Sequence, residues 1–336
     1  MRVELGPDGP RLLHTEPLRP NGEHAVRVRV ELAGLCRSDL KEVVGNRHGV
    51  SQFGHELVAV VEESSLGDLP PGTRVSLDPN VPLERGTGFA TTMWAAGPAD
   101  RLRAAFPVVP TDVDARRLVF TEPLACAQHC LGAAARHIGE DLAGLRIGVL
   151  GAGTAGALIA GLAHALGAEV TLGNRSQDRS EFLRSRAVLD APVGPLAEMP
   201  TDGFDVAIVA TSFVLPEVLR EALRTVVPGG LVLLYGGTAP GDALPGLDCD
   251  LDTVRRGELL VTTEWDGKPV RVGGSYGTVQ DDFGAAVRAL VELDPATLPV
   301  ERMITDEIPL EALPDTIRTH LAERPLGKTL IRPGVL

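Results

Sequence analysis

With 336 residues the chain has room for two domains of about 150 residues each, and 44% hydrophobic with 23% charged residues is an ordinary globular composition. A formal charge of −13 repels nucleic acid and anionic membranes, so neither is an expected partner, and any anionic ligand must be held by local donors. No apolar run approaches the ~18 residues that span a bilayer, residues 1–10 lack the basic start and apolar stretch of a signal peptide, and four cysteines (Cys36, Cys126, Cys130, Cys249) are too few for a disulfide framework, so a soluble, cytoplasmic protein is expected.

The first third reads as β-rich. Residues 25–32 (AVRVRVEL) alternate apolar and polar side chains, the period of a half-buried strand. Residues 57–62 (LVAVVE) predict a second strand, and Pro70-Pro71-Gly72 ahead of Thr73-Arg74-Val75 predicts a turn into a third. Short strands punctuated by glycine and proline suggest a barrel-like or sandwich domain. The character changes at 146–150 (RIGVL), a buried strand followed by a glycine-rich turn, an apolar helix over about 155–166 and a strand at 168–172. Segments 204–210 and 231–235 repeat the pattern with helical stretches between, which predicts a parallel, doubly wound sheet. The tail holds a helix over roughly 282–293 and a short strand at 328–332 (KTLIR), expected to return to the first domain.

Gly151-Ala152-Gly153-Thr154-Ala155-Gly156 fits G-x-G-x-x-G between a buried strand and a helix. Gly151 permits the tight turn, Gly153 lets the backbone approach a pyrophosphate, and Gly156 lets helix and strand pack closely, with the helix N-terminus on the phosphates. A merely structural glycine turn is the alternative. After the second strand stand Gly173-Asn174-Arg175-Ser176, where an NAD site usually places an acid for the ribose hydroxyls. Arg175 and Ser176 suit a 2′-phosphate, with Asn174 on the ribose and Arg179 one helical turn on, so NADP is expected over NAD. A solvated arginine stacked on adenine in an NAD enzyme is the competing reading.

Three further segments carry chemistry: Cys36-Arg37-Ser38-Asp39, Gly54-His55-Glu56 and Thr121-Glu122-Pro123-Leu124. A catalytic zinc takes N, S and O ligands and keeps one position open; Cys36, His55 and a carboxylate would make such a site. A lone buried cysteine or histidine is more often packing. Together, and ahead of a dinucleotide fold, these segments resemble the zinc-dependent medium-chain alcohol dehydrogenases. The resemblance runs over nearly the whole chain, through Gly88-Phe89-Ala90, Val227-Pro228-Gly229-Gly230 and Gly274-Ser275-Tyr276-Gly277. Glu122-Pro123-Leu124 is similar to the polyol and sugar branch of that family, which includes sorbitol and threonine dehydrogenases.

The resemblance implies an α/β protein: a β-rich GroES-like catalytic domain over 1–121 and 267–336, and a Rossmann domain over 122–266. It implies zinc-ligand positions at Cys36, His55 and Glu56 and a remaining carboxylate position at Glu122, with Glu56 and Glu122 free to exchange with water during turnover. It places Asp39 as the acid that orients the histidine and Arg37 on the cofactor phosphates. Zinc lowers the pKa of the substrate oxygen, the carbon expels hydride to the nicotinamide, and Ser38 passes the proton outward; a turn-capping serine is the alternative for Ser38.

Two departures from the family matter. Many relatives have a histidine three residues after the Ser38 position; here stands Lys41, so the last relay step falls to a lysine of lowered pKa or to water. Many relatives also carry a lobe with four close cysteines for a structural zinc, whereas 79–89 is short and cysteine-free, so one catalytic zinc and no structural zinc is expected. Cys126 and Cys130 at i and i+4, beside His129, offer a chelating face, yet no second ligand pair is visible and a packed helix is the expectation.

The sequence thus predicts a zinc-dependent oxidoreductase moving hydride between NADP(H) and a secondary alcohol or ketone of a small polar substrate (polyol, sugar or cyclitol type), as a homodimer. The alternatives are a zinc-free enone or quinone reductase of the same superfamily, which lacks the ligands, and an idle nucleotide-binding scaffold, which would bind cofactor without turnover. Trp94, Trp265 and Tyr276 are candidate walls of a substrate pocket.

Overall fold

The computed structural model describes residues 1–15, 17, 19–45 and 53–334. The chain forms two compact units, the first from 1–122, 283–292 and 304–336, the second from 123–282 and 293–303.

The spine of the first unit is the strand His24–Gly34. It pairs antiparallel with Glu56–Ser64, with Thr92–Gly97 and, through its last residues, with Lys328–Arg332. The predicted alternation holds: Val26, Val28, Val30 and Leu32 are buried, while Arg27, Arg29 and Glu31 between them are not. Val26, Val28 and Val30 share one core with Leu57, Val61, Phe89, Met93 and Ile331. The C-terminal strand therefore returns to this unit, where it also pairs parallel with Ile304–Pro309.

The second unit is a seven-stranded sheet in the spatial order Val193–Pro195, Glu169–Asn174, Arg146–Leu150, Phe204–Val209, Val226–Leu234, Lys268–Gly274 and Leu260–Trp265. All neighbours run parallel except the last pair. The strand order reverses beside Arg146–Leu150, and in open α/β sheets ligands bind at the carboxyl ends of strands at such a switch point. Gly151 follows that strand directly.

One predicted boundary moves. The chain does not leave the second unit at 267, because Leu260–Trp265 and Lys268–Gly274 form a hairpin on the edge of its sheet. The two-residue connection Asp266-Gly267 has positive φ at both positions (50° and 78°), the backbone that favours Asp-Gly in tight hairpins. Val270 and Val272 are buried with Val232 and Leu234. The return comes instead at Phe283, within the helix Gln280–Glu292, and 293–303 rejoin the second unit before the tail. The first crossing lies at Glu122/Pro123, inside the helix Thr121–Ile138, where Pro123 in the opening turn gives up no intrahelical bond. No helix among the described residues is long and apolar enough to cross a membrane.

Candidate functional site

In the first unit the helix Arg37–Val43 begins where the spine strand ends. Cys36 is its N-cap, in extended backbone (φ −96°, ψ 153°), and Asp39 closes a capping box: the Cys36 N–H donates to Asp39 Oδ2 at 2.8 Å and the Ser38 N–H reaches Cys36 Sγ at 3.5 Å. His55 enters from the turn before Glu56–Ser64. Gly54 there has φ +66°, and a Cβ on it would meet Phe89 N at 2.6 Å and Gly88 N at 2.8 Å, so only glycine fits.

Asp39 is fully buried, and its two oxygens serve three partners: the Cys36 N–H, the Gly54 N–H at 2.9 Å and His55 Nδ1 at 3.2 Å. A buried carboxylate needs this saturation. It also fixes the imidazole, with Nδ1 toward Asp39 and Nε2 toward Ser38 Oγ at 3.2 Å. Ser38 Oγ in turn lies 2.9 Å from Cys36 Sγ. Burial alone would push the His55 pKa down; the charge and hydrogen bond of Asp39, with help from Cys36, outweigh it and hold the imidazole well above its usual value. Ligand atoms of Cys36, His55 and Glu56 all lie within 4.8 Å of one another.

Glu56 has a partner that sequence reading missed. Its Oε2 pairs with Lys328 Nζ, and both side chains are almost wholly buried. Gly34 makes room for them: a Cβ there would run into Glu56 Oε2 and stand 2.9 Å from Lys328 Cε. Burial works against the Lys328 ammonium, but the charges of Glu56, Cys36 and Glu122 raise its pKa above the usual lysine value. The available signal was a lysine opening the strand KTLIR, whose first four residues are buried. Glu122 is buried in the first turn of Thr121–Ile138, within the field of Lys328 but outside the three-residue cluster. Arg37 is exposed at the start of its helix, and Lys41 is half-buried in the last turn.

In the second unit each glycine of the turn has a distinct reason. Gly151 has φ +121°, and a Cβ on it would come within 2.9 Å of Ala210 O. Gly153 is the N-cap of Thr154–Ala165 with open space where a side chain would be, and a Cβ on Gly156 would drive into Gly151 O. The first amides of this twelve-residue helix, from Thr154, Ala155 and Gly156, have no partner within the helix and suit an anion. Asn174 ties the end of Glu169–Asn174 to the turn: its Oδ1 accepts from the Ala152 N–H at 3.1 Å, and its Nδ2 donates to Ser176 O at 3.0 Å. Arg175 is exposed and pairs with Glu217 at 2.7 Å, an acid that sequence reading did not single out. Arg179 is half-buried in the first turn of Gln177–Ser185.

In the Cys126/His129/Cys130 group it is His129 alone that is clamped between two carboxylates. His129 Nδ1 meets Asp282 Oδ2 at 2.8 Å and Nε2 meets Glu258 Oε1 at 2.6 Å, so both ring nitrogens are taken by carboxylates. The hydrogen bond to Asp282 leads in raising the His129 pKa above its usual value. Burial pushes the Cys130 thiol far up, away from the thiolate a metal needs. Because the folded His129 pKa is raised, its stabilisation is fully present below the unfolded value of about 6.5 and fades as pH rises through the folded value. His129→Gln is expected to lower the thermal midpoint by several degrees at pH 6 and by much less at pH 9; equal losses at both would show that the charge is not involved.

Of the candidate pocket walls, Trp94 is half-buried with the Arg19 guanidinium 5.5 Å from its ring centre, Trp265 packs on the core of the second unit, and Tyr276 is exposed beside Arg255 and Arg256.

Residues 22–98 match the model of the alcohol dehydrogenase GroES-like domain. L-galactonate-5-dehydrogenase of Escherichia coli strain K12 is 23% identical over 92% of this chain and 92% of its own length. Cinnamyl alcohol dehydrogenase 7 of Arabidopsis thaliana is 27% identical over 52% of this chain and 56% of its own length, so the match spans about half of that plant relative. Among solved structures, galactitol-1-phosphate dehydrogenase from Escherichia coli superposes with a TM-score of 0.76 at 22% identity, covering 99% of each chain. A dehydrogenase named as a putative zinc-binding one, from Sinorhizobium meliloti 1021 and bound to NADP, superposes with a TM-score of 0.74 at 22% identity, covering 99% of this chain and 98% of its own.

Proposed function

We propose that this chain belongs to the medium-chain alcohol dehydrogenase family and moves hydride between NADP(H) and a secondary alcohol or its ketone on a small polyol- or sugar-type substrate. The observation that carries the reading is the cluster of Cys36, His55 and Glu56 with Ser38 Oγ within reach of two of its ligand atoms. A soft thiolate, an imidazole and a carboxylate form the donor set of a catalytic zinc site. A zinc ion held by Cys36, His55 and either Glu56 or Glu122 would supply Lewis acidity at the substrate oxygen. The names of one relative matching over 92% of the chain and one structural neighbour covering 99% of it, L-galactonate-5-dehydrogenase and galactitol-1-phosphate dehydrogenase, support the substrate class.

The chain's own residues supply the rest. Asp39 accepts from His55 Nδ1–H and so leaves Nε2 as the ligand atom. Ser38 Oγ takes the proton of a substrate hydroxyl bound beside Cys36 and His55 and releases its own outward, to water or to Lys41. A bound nicotinamide would supply the hydride acceptor for the carbinol carbon, which becomes the carbonyl carbon of the ketone. The Gly151–Gly156 turn and the amides of Thr154 and Ala155 would hold the pyrophosphate. Arg175, Ser176 and Arg179 take the 2′-phosphate, with Asn174 on the ribose. The pair with Glu217 does not oppose this, because an exposed ion pair contributes only about 0–1 kcal/mol and gives way to a phosphate.

The test is NADP-linked oxidation of a panel of polyols and sugar acids by the zinc-loaded protein. Ser38→Ala is expected to lower kcat about a hundredfold with little change in KM; undiminished kcat would remove Ser38 from the proton path. Arg175→Ala is expected to weaken NADP binding about tenfold or more and NAD binding little, read by fluorescence titration. Equal loss for both cofactors would return the loop to an NAD reading.

A further inference from the structure

Glu84–Arg85 is a short strand in the cysteine-free stretch. It pairs with Thr92–Gly97 in the register Glu84↔Ala96 and Arg85↔Ala95, and the Gly86 N–H donates to Trp94 O at 3.0 Å. Just beyond, the Gly88 N–H donates to Gly54 O at 3.1 Å, beside His55. The segment is therefore stitched at one end to the sheet and at the other to the turn that presents a candidate metal ligand.

Arg85 is chemically unfinished in this setting. Its Nη1 donates to Gly86 O at 3.0 Å, but Nη2 is buried with no hydrogen-bond partner. Among the described residues no carboxylate forms an ion pair with it. Asp39 and Glu42, on the helix that starts at Cys36, are near enough to be felt, yet Asp39 has already committed its oxygens. Burial lowers the Arg85 pKa, whereas the ion-paired Arg103 and Arg146 are raised. A desolvated guanidinium without a partner destabilises a fold, and its planar fork matches a carboxylate or a phosphate. In a chain of charge −13, a local cation of this kind is what an anionic ligand requires.

We infer that Arg85 is a specificity residue of the substrate site and that the substrate is a polyol or sugar derivative carrying a carboxylate or phosphate, which Arg85 binds through its unpaired Nη2. The inference rests on the proposed function in one respect, that the substrate's reacting hydroxyl lies at Cys36 and His55.

The experiment measures binding of galactitol, galactonate and galactitol 1-phosphate to the zinc-loaded protein by calorimetry, with turnover followed in parallel, in the parent, Arg85→Lys and Arg85→Gln. In the parent at least one anion is expected to bind about tenfold or more tighter than galactitol. Which anion wins tells carboxylate from phosphate. The preference should fall to about one in Arg85→Gln and survive in part in Arg85→Lys, with any change in turnover carried by KM. Ligand-free Arg85→Gln is expected to melt no lower than the parent, since the replacement removes an unpaired desolvated charge, and the anion should raise the melting midpoint of the parent but not of Arg85→Gln. The inference is overturned if neither anion binds at millimolar concentration, if galactitol binds as tightly as both, or if the preference survives in Arg85→Gln. Anion binding that depends on Arg85 without NADP reduction would sink the proposed function and leave standing only the anion contact of Arg85; turnover with no preference for an anion would overturn the inference and leave the proposed function standing.

Discussion

Cys36→Ser is expected to take zinc from about one ion per chain to none and to lower kcat/KM for the alcohol by about a thousandfold. The substitution is close to neutral for the fold, because serine is a preferred helix N-cap and Cys36 occupies that position at the head of Arg37–Val43. What it removes is the sulfur ligand atom from the cluster shared with His55 and Glu56. A hydroxyl keeps its proton near neutral pH and is a poor substitute for thiolate on zinc. A Lewis acid contributes several kcal/mol to stabilising charge in the transition state, and each ~1.4 kcal/mol is a factor of ten in rate. Elemental analysis and NADPH absorbance read the two effects. Full activity without zinc in this variant would favour the zinc-free reductase instead.

Lys328→Met is expected to destabilise the first unit by about 3–5 kcal/mol, the range for breaking one side of a buried ion pair. Methionine keeps the length of the stem, so the loss is electrostatic. The Glu56 carboxylate stays buried under Gly34 with its counter-charge gone. Two further results follow from the same physics. Adding Glu56→Gln to the same chain should recover most of the loss, because the stranded charge is removed; a urea double-mutant cycle measures that coupling. Added zinc should stabilise Lys328→Met more than the parent, since Glu56 is then freed to act as a ligand. Additive losses in the cycle would mean that Lys328 contributes only packing.

What the sequence made legible was local. The 25–32 alternation, the strand–turn–helix around Gly151 and the Cys36–Asp39 segment are short, and each encodes its own geometry: a period of two, a positive φ at Gly151, a capping box at the N-terminus of a helix. The parallel sheet and the β-rich unit are the architecture those patterns imply. Three kinds of feature stayed hidden. The hairpin joined by Asp266-Gly267 was readable in principle, as Asp-Gly between two extended runs, but LVTTEW and KPVRVGG lack the apolar density of the earlier strands, and the boundary at 267 was misplaced. The pairings Glu56–Lys328, Arg175–Glu217 and His129 with Glu258 and Asp282 join residues far apart in the chain, and no spacing rule reaches that distance. Arg85 was hidden for a third reason: the signal is a missing partner, which becomes visible only when its neighbours are in place.

The most direct test of the central claim is to strip the purified protein with a chelator and titrate zinc back while following NADP reduction on the polyol and sugar-acid panel. The account predicts that activity vanishes on stripping, returns in proportion to added zinc, saturates at about one ion per chain, and fails to return in Cys36→Ser. Turnover indifferent to stripping, or a protein that takes up one zinc at this site and binds NADP yet oxidises nothing on the panel, would contradict it.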